Sequence, residues 1–446
     1  MDLNRRGFAL GVLVGLPGAA AATLASPGPA MARGRKIKEI NISGDDGDTE
    51  DFFDSEFETE AASGVHLFFD QNGGGDGSSF DSPAAYSDLN QLISDVGPGG
   101  TIYGKAGTYA NENLVIKSGG ARRNPVRIRF VEPDMKPGVG RIVGNRTAWT
   151  KPSNPETVTD VSGWNDGPDA IDLRSGSDWL VFSGFHFERV QHAFRAVDDH
   201  RGLTIIKCGG YNVRRFLEHP SNVSMKRVRL KHIDVVGFSK QCIRIRGNSA
   251  NWIVQDFNLD SGRQDRDDFA MGFSIDGTAH NLKIRSGLIE NCHSTLGSYW
   301  NGDGIVTEEE NYNILIEDVA CNGHTDAGFD LKSDRGVVLR RCSAADNKKN
   351  YRFWNAHYEM EDCTSGTVTK RGGGGNTGHI TTYENNNASP SVDINGLALV
   401  EQGNGNVYMH GANGSYIQVS NWSHNLSSGA RIEKFEGGVN GNLVLG

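Results

Sequence analysis

The chain has 446 residues, including 58 glycines and only 13 prolines, with 37% hydrophobic residues and a formal net charge of −10. That charge argues against nucleic acid as the main partner, because phosphate binding needs a basic surface. Length alone accommodates two or three domains or one long solenoid. The abundance of Gly, Asn and Asp describes many tight turns between short strands, and the scattered aliphatic residues exclude a large helical core.

Residues 1–32 read as an export signal. Arg5 and Arg6 precede an Ala/Gly/Leu-rich run, and Ala30–Met31–Ala32 offers a small-residue cleavage site; the pattern resembles a twin-arginine signal and predicts a periplasmic or secreted protein. The run is interrupted by Gly and Pro and is short for a membrane span, and no later segment is apolar enough for stable insertion. Residues 33–63 are polar, and the stretch from Ser43 to Glu60 is strongly acidic, which predicts a flexible linker. Residues 64–446 then form one domain.

Its entry is a strand over Val65 to Phe69 and a glycine loop over Asn72 to Ser79. A helix follows, with Ser82 as its cap and Pro83 at its first position. Ala85, Leu89, Leu92, Ile93 and Val96 share one face of it, as expected of a lid over the open end of a solenoid. From about Val126 to about Leu426 inward apolar and outward polar residues alternate in units recurring roughly every 22 to 30 residues. Aligning the units gives an inward column of Phe194, Ile243, Phe273, Ile305, Phe329 and Tyr351. Beside it an outward column reads Arg195, Arg244, Ser274, Val306, Asp330 and Arg352, and the next reads Val197, Arg246, Asp276, Glu308, Lys332 and Trp354. Coils about 4.8 Å apart merge these columns into one charged, aromatic-edged strip. Cys292, Cys321, Cys342 and Cys363 close successive strands and are expected to stack as buried thiols; a protein exported already folded has left a reducing compartment. The glycine-rich tail from Gly429 closes the far end, and "RGGGGNTG" (Arg371 to Gly378) is a loop insertion.

The run "GPGGTIYGKAGTY" (Gly97 to Tyr109) is similar to the opening of right-handed parallel β-helix proteins of the pectate-lyase-like superfamily. The expected fold is therefore all-β: a single-stranded right-handed parallel β-helix with a short N-terminal capping helix.

The richest constellation is Asn301, Asp303, Glu308, Asp326, Asp330, Lys332 and Arg352. Carboxylates on neighbouring rungs repel unless a cation lies among them, and an all-oxygen cluster suits Ca²⁺; the alternative is a solvated polar turn. "NGDG" (Asn301 to Gly304) followed one coil later by "TDAGFD" (Thr325 to Asp330) resembles the calcium-site coils of family nine polysaccharide lyases, the calcium-dependent pectate lyases. The resemblance implies Asp303, Asp326 and Asp330 as metal ligands. Ala327 replaces a further Asp of that pattern, a loss that Glu308 or a substrate carboxylate would compensate.

What the resemblance implies chemically is β-elimination in an acidic, uronic-acid-containing polysaccharide. A cation neutralises the uronate carboxylate, a base removes the C5 proton, and the C4 oxygen leaves. The position of the family's base is occupied by Arg352, although a guanidinium normally stays protonated; Lys332 is the rival. Arg195, Arg244 and Arg246 are expected to hold sugar carboxylates, Trp300 and Trp354 to stack on sugar rings, and His324 or His357 to protonate the leaving oxygen. The protein is expected to act as a monomer. Three alternatives stay open: a glycoside hydrolase, which needs paired carboxylates such as Asp198/Asp199 or Asp267/Asp268; a C5-epimerase using the same site; and a non-catalytic carbohydrate-binding solenoid.

Overall fold

The computed structural model describes residues 64–265, 269–384, 389–401, 407–410, 414–425, 432–434 and 442–446. The export segment, the acidic linker, and Asp267 and Asp268 lie outside the described residues. Every coil-to-coil strand pairing is parallel, and successive coils stack in strict register. The architecture is the right-handed parallel β-helix that the sequence predicts. Its physical cause is the alternation: each coil buries one face of each strand, and only stacking the next coil satisfies the backbone groups along its edges.

The shorter ladder runs Phe194, Leu217, Ile243, Phe273, Ile305, Phe329, Tyr351 and Ile380. The sequence alignment skipped the coil that carries Leu217, the strand Arg215–Glu218. Phe216 and Leu217 are both fully buried there, as Ala193 and Phe194 and Cys242 and Ile243 are on the flanking coils. The long strands of the other ladders are bent at stacked positions, among them one near each strand's middle. Lys207, His232, Asp256, Ser286, Asp318, Arg341 and Asp362 occupy equivalent ladder positions, each with φ between +49° and +56°. Each single left-handed residue turns its strand by a fixed amount, so the corners stack and the large ladder becomes two faces.

The core is a continuous column of rings and aliphatic chains; Phe329 and Tyr351 stack with centroids 5.1 Å apart and planes 3° from parallel. Helix α1 (Leu89–Val96) buries Leu89, Leu92, Ile93 and Val96 against the strands His66–Asp70, Thr101–Lys105 and Leu114–Ile116. The lid is as expected, but its start is not. Ala84 and Ala85 pair with Phe69 and Asp70 as a strand, and Tyr86–Asp88 forms a 3-10 turn before the helix. Ser82 instead takes the backbone N–H of Asp76 in the glycine loop. At the far end Asn442–Leu445 pairs with Tyr416–Val419, and most of the glycine-rich tail expected to close the helix lies outside the described residues. All six cysteines are buried free thiols.

Candidate functional site

Five consecutive rungs of the shorter ladder position the site: β1 (Met271–Ile275), β2 (Asp303–Thr307), β3 (Ala327–Leu331), β4 (Lys349–Trp354) and β5 (Gly378–Tyr383). Register sets Met271, Asp303, Ala327 and Lys349 side by side at the strand starts, and Val306, Asp330, Arg352 and Thr381 side by side further on. These residues point away from the core, yet Asp303, Asp326, Asp330 and Arg352 are 2, 0, 3 and 6% exposed.

Arg352 is the centre. Its Nε donates to Asp330 Oδ1 at 2.7 Å and its Nη1 to Asp326 Oδ2 at 2.8 Å, while Nη2 lies 3.7 Å from Asp303 Oδ1. Nη1 also donates to the Tyr299 hydroxyl at 2.8 Å, which in turn donates to Asp326 Oδ1 at 2.9 Å. Lys348 Nζ lies 2.9 Å from Asp326 Oδ1 and 3.8 Å from the Tyr299 ring centroid. Lys349 Nζ donates to the Tyr299 hydroxyl at 3.1 Å and sits 3.7 Å from Asp326 Oδ1. On the other flank Lys332 Nζ bridges Glu308 Oε1 and Asp330 Oδ2, both at 3.0 Å. Trp354 Nε1 donates to Asp330 Oδ1 at 2.8 Å, and its ring stacks on Tyr383 at 4.7 Å.

The electrostatics follow. Burial opposes the charge on Arg352, but Asp326, Asp330, Tyr299 and Asp303 outweigh it and hold the guanidinium charged, above its usual range. Burial likewise opposes ionisation of Asp330 and Asp326, but Arg352 with the neighbouring lysines holds both below the carboxylate range. Asp303 is the exception: burial and then Asp326 push it up to about 7. Lys349 is brought down to about 8, first by burial and then by Arg352 and Lys348, against the pull of Asp326. Lys332 goes the other way, because Asp330 and Glu308 overcome its burial.

The arrangement does not fit calcium. Asp326 and Asp330 have both oxygens engaged by N–H or O–H donors, and Asp303 Oδ1 accepts the Ala327 N–H at 2.8 Å. The cation among these carboxylates is the Arg352 guanidinium. Glu308 is turned to Lys332, and Ala327, fully buried beside Asp303, adds no oxygen. Among the described residues no group of three or more His, Cys, Asp or Glu side chains is disposed to hold a metal ion.

The same contacts argue against Arg352 and Lys332 as bases, since each is held protonated. The amine of reduced basicity is Lys349, which sequence reasoning missed; the signal for it was ladder position, one rung beyond Ala327. Tyr299, which the sequence places with Trp300 and Trp354 at the border of the strip as a ring to stack on sugars, makes its contacts in the cluster through its hydroxyl. The glycine insertion also has a role. Added side chains at Gly372 and Gly373 would come within 2.4 and 2.7 Å of the Trp300 ring, and at Gly375 within 3.2 Å of Tyr299 and 3.5 Å of Lys349 Nζ. Gly374 N–H donates to Ser298 O, so the loop packs on the Tyr299–Trp300 segment and covers Lys349.

The other predicted residues scatter. His324 is fully buried; it accepts the Cys292 N–H, and burial lowers it to about 3, so it is a neutral structural imidazole. His357 lies at the start of a strand in the other ladder and meets Ser391 Oγ at 2.8 Å. Arg195, Arg244 and Arg246 do not make a cationic strip, because the skipped coil inserts Glu218 between the first two. Arg195 pairs with Asp169 at 2.9 Å, Arg244 with Glu218 at 3.6 Å, and Arg246 with Asp276 at 2.8 Å.

The class defined by the ladders is a parallel β-helix protein carrying a buried ion cluster on one face. No protein-family model matches the chain, and no curated protein does. Among solved structures it is similar to the pectate lyase Pel9A, at 14% identity over 82% of this chain and 78% of that one, with a TM-score of 0.35. It is similar to the A-module of the Azotobacter vinelandii mannuronan C-5 epimerase AlgE4, at 12% identity over 78 and 93% of the two chains, TM-score 0.44. The Dettilon tailspike protein matches at 11% identity over 82 and 68%, TM-score 0.48.

Proposed function

We propose that the chain is an exported polysaccharide lyase that cleaves an acidic polysaccharide by β-elimination without a metal in the cluster. The observation that supports this reading is Lys349: a buried amine lowered to about 8, hydrogen-bonded to a phenol and bounded by aromatic rings. In this reading Trp354 and Tyr383 form a platform for a sugar ring, and Lys332 at the rim takes its carboxylate. Displacement of the glycine loop from Tyr299 admits the sugar to Lys349. The neutral amine removes the C5 proton, the electron pair forms the C4–C5 double bond, and the C4–O bond breaks. Arg352 keeps its charge throughout and orients Tyr299 while compensating the three aspartates.

One observation favours a second reading. Asp303, raised to about 7, and Asp326, held low, form a pair of carboxyls with opposed environments, the pattern of an acid and a base in glycoside hydrolysis.

The test is to incubate the protein with a panel of polyuronates while following ultraviolet absorbance of unsaturated products and reducing ends together. Absorbance rising with reducing ends is the expected result. Reducing ends without absorbance would replace elimination by hydrolysis, and neither signal from any polyuronate would overturn the degradative reading.

A further inference from the structure

Between the strands Gly140–Val143 and Ile171–Leu173 the chain leaves its coil as a strap that runs along the outside of the helix over later coils. Arg146 donates to Asn212, Ser239 and Gln264, Lys151 pairs with Asp260, and Thr159 and Asp160 pair with Gln264 and Asp265 as short strands. At the tip of the strap Glu156 joins two arginines. Its Oε1 accepts from Arg263 Nη2 at 2.9 Å and from Arg371 Nη2 at 3.3 Å, and its Oε2 accepts from Arg371 Nε at 3.1 Å. Arg263 also donates to Pro155 O and Gly323 O, and Arg371 to Asp346 O and Asp346 Oδ2. Arg371 begins the glycine loop that covers Lys349, so this one carboxylate ties the loop to the strap across 215 residues of chain.

The member of this group least held in place is the carboxylate. The Glu156 side chain is 56% exposed, whereas those of Arg371 and Arg263 are 10 and 2% exposed. Burial and then Arg371 weigh against the charge on Arg263. Two recessed guanidinium groups on one carboxylate oxygen therefore need an anion between them, and the one they have is a side chain open to exchange. A separate feature points to a ligand. His293 is 3% exposed, neither of its ring nitrogens has a hydrogen-bond partner, and the charged groups around it are Arg263, Arg371 and Glu156. Its ring lies 6.0 Å from that of Trp300, against which the glycine loop packs. A buried imidazole with both nitrogens idle is costly, and Glu156 satisfies the arginines while giving His293 nothing. A uronic acid brings a carboxylate for the arginines and hydroxyls for the imidazole.

We propose that Arg263, Arg371 and His293 form a binding site for one uronate unit of the polysaccharide, that Glu156 holds its place in the free protein, and that the exchange of carboxylates releases the glycine loop from the strap. This deepens the reading of Lys349 as the base of an elimination, and rests on it. Arg371 is four residues from Gly375, at most about 14 Å along the chain, and Gly375 stands over Lys349 Nζ, so the unit held by Arg371 is a near neighbour of the one that reacts. An exposed ion pair shifts an equilibrium by about fivefold at most, which a ligand that also bonds His293 exceeds. A neutral polysaccharide brings no carboxylate to displace Glu156, so the loop stays closed over Lys349.

Two measurements on the full chain test this, neither of which needs turnover. Binding of digalacturonate, with neutral galactobiose as control, is followed by tryptophan fluorescence, and acetylation of Lys349 is followed by peptide mass spectrometry against the exposed Lys136. Glu156→Gln should bind digalacturonate about fivefold more tightly than the native protein and should label Lys349 several-fold faster, with Lys136 unchanged. Adding Arg371→Gln should abolish the gain in affinity while labelling stays fast, and circular dichroism checks that both variants are folded. A purely structural ion pair predicts a lower melting temperature and nothing more, so a Glu156→Gln protein with unchanged affinity, or with Lys349 as slow to label as before, would overturn the inference. If both shifts appear but no polyuronate yields unsaturated products, the elimination reading falls and the uronate site stands.

Discussion

Replacing Arg352 with alanine withdraws the one cation that, among the described residues, reaches all three buried aspartates. The guanidinium makes two hydrogen bonds to carboxylates at 2.7 and 2.8 Å and one to the Tyr299 hydroxyl at 2.8 Å. Charged hydrogen bonds contribute about 1.5–3 kcal/mol each, but bonds to one group are not additive. The stranded carboxylates also relieve themselves by taking up protons, so the expected loss is about 3–5 kcal/mol at pH 7, as for other broken buried pairs. Spread over a fold of about 380 residues with an unfolding entropy of about 2.1 cal/mol/K per residue, this lowers the midpoint by about 4–6 °C if the fold melts as one unit. The pH dependence fixes the cause. Asp326 and Asp330 have lowered values in the native protein, so their contribution is present above the ordinary carboxylate range and is lost as pH falls through their depressed values. The difference between wild type and variant should therefore narrow as pH falls below about 4, towards those depressed values. Calorimetry of both proteins from pH 7 into that range is the assay, with Asp330→Asn in the Arg352→Ala background recovering part of the loss. A fall of less than about 1 °C, or a deficit that does not change with pH, would refute the electrostatic account of the cluster.

Lys349→Met should abolish elimination, with kcat falling at least about 100-fold while the melting temperature holds or rises, and the rate of the native protein should climb with pH through about 8 as the amine deprotonates; a rate flat from pH 6 to 9 would remove Lys349 as base. Asp303 is raised, so between the ordinary carboxylate value and about 7 the folded state binds the extra proton, and this group's contribution to stability falls as pH rises to 7. Asp303→Asn should flatten that part of the melting profile. Gly373→Ala forces a left-handed residue, costing about 1–2 kcal/mol, and brings a methyl against Trp300; quenching of tryptophan fluorescence by iodide should increase as the loop lifts. Chelator and added calcium should leave both melting temperature and turnover unchanged, and a calcium-dependent rise in either would contradict the donor pattern of the cluster.

The fold was legible because a solenoid writes its geometry into one dimension. Alternation in "GDGIVTEE" or "AGFDLKSD" is enough to specify which side chains face the core, and short inter-coil spacing is enough to specify parallel stacking. The alignment lost the coil of Phe216 and Leu217, and the Glu218 on it breaks up the supposed arginine strip. The residues Asp303, Asp326, Asp330 and Arg352 could be named from sequence because they sit on consecutive rungs. What they do to each other could not. Whether three carboxylates surround a metal or a guanidinium depends on side-chain reach across rungs, and Arg352 is long enough to occupy the centre. Lys349 was invisible as chemistry because it lies at a strand start, 50 residues from the Tyr299 hydroxyl it meets; only closure of the glycine loop against Trp300 buries the two together and lowers the basicity of the amine. Sequence determined the coil and the ladder order, since both follow from local period. Tertiary structure decided burial, protonation and partners, since these arise from groups distant in the chain that share one small volume.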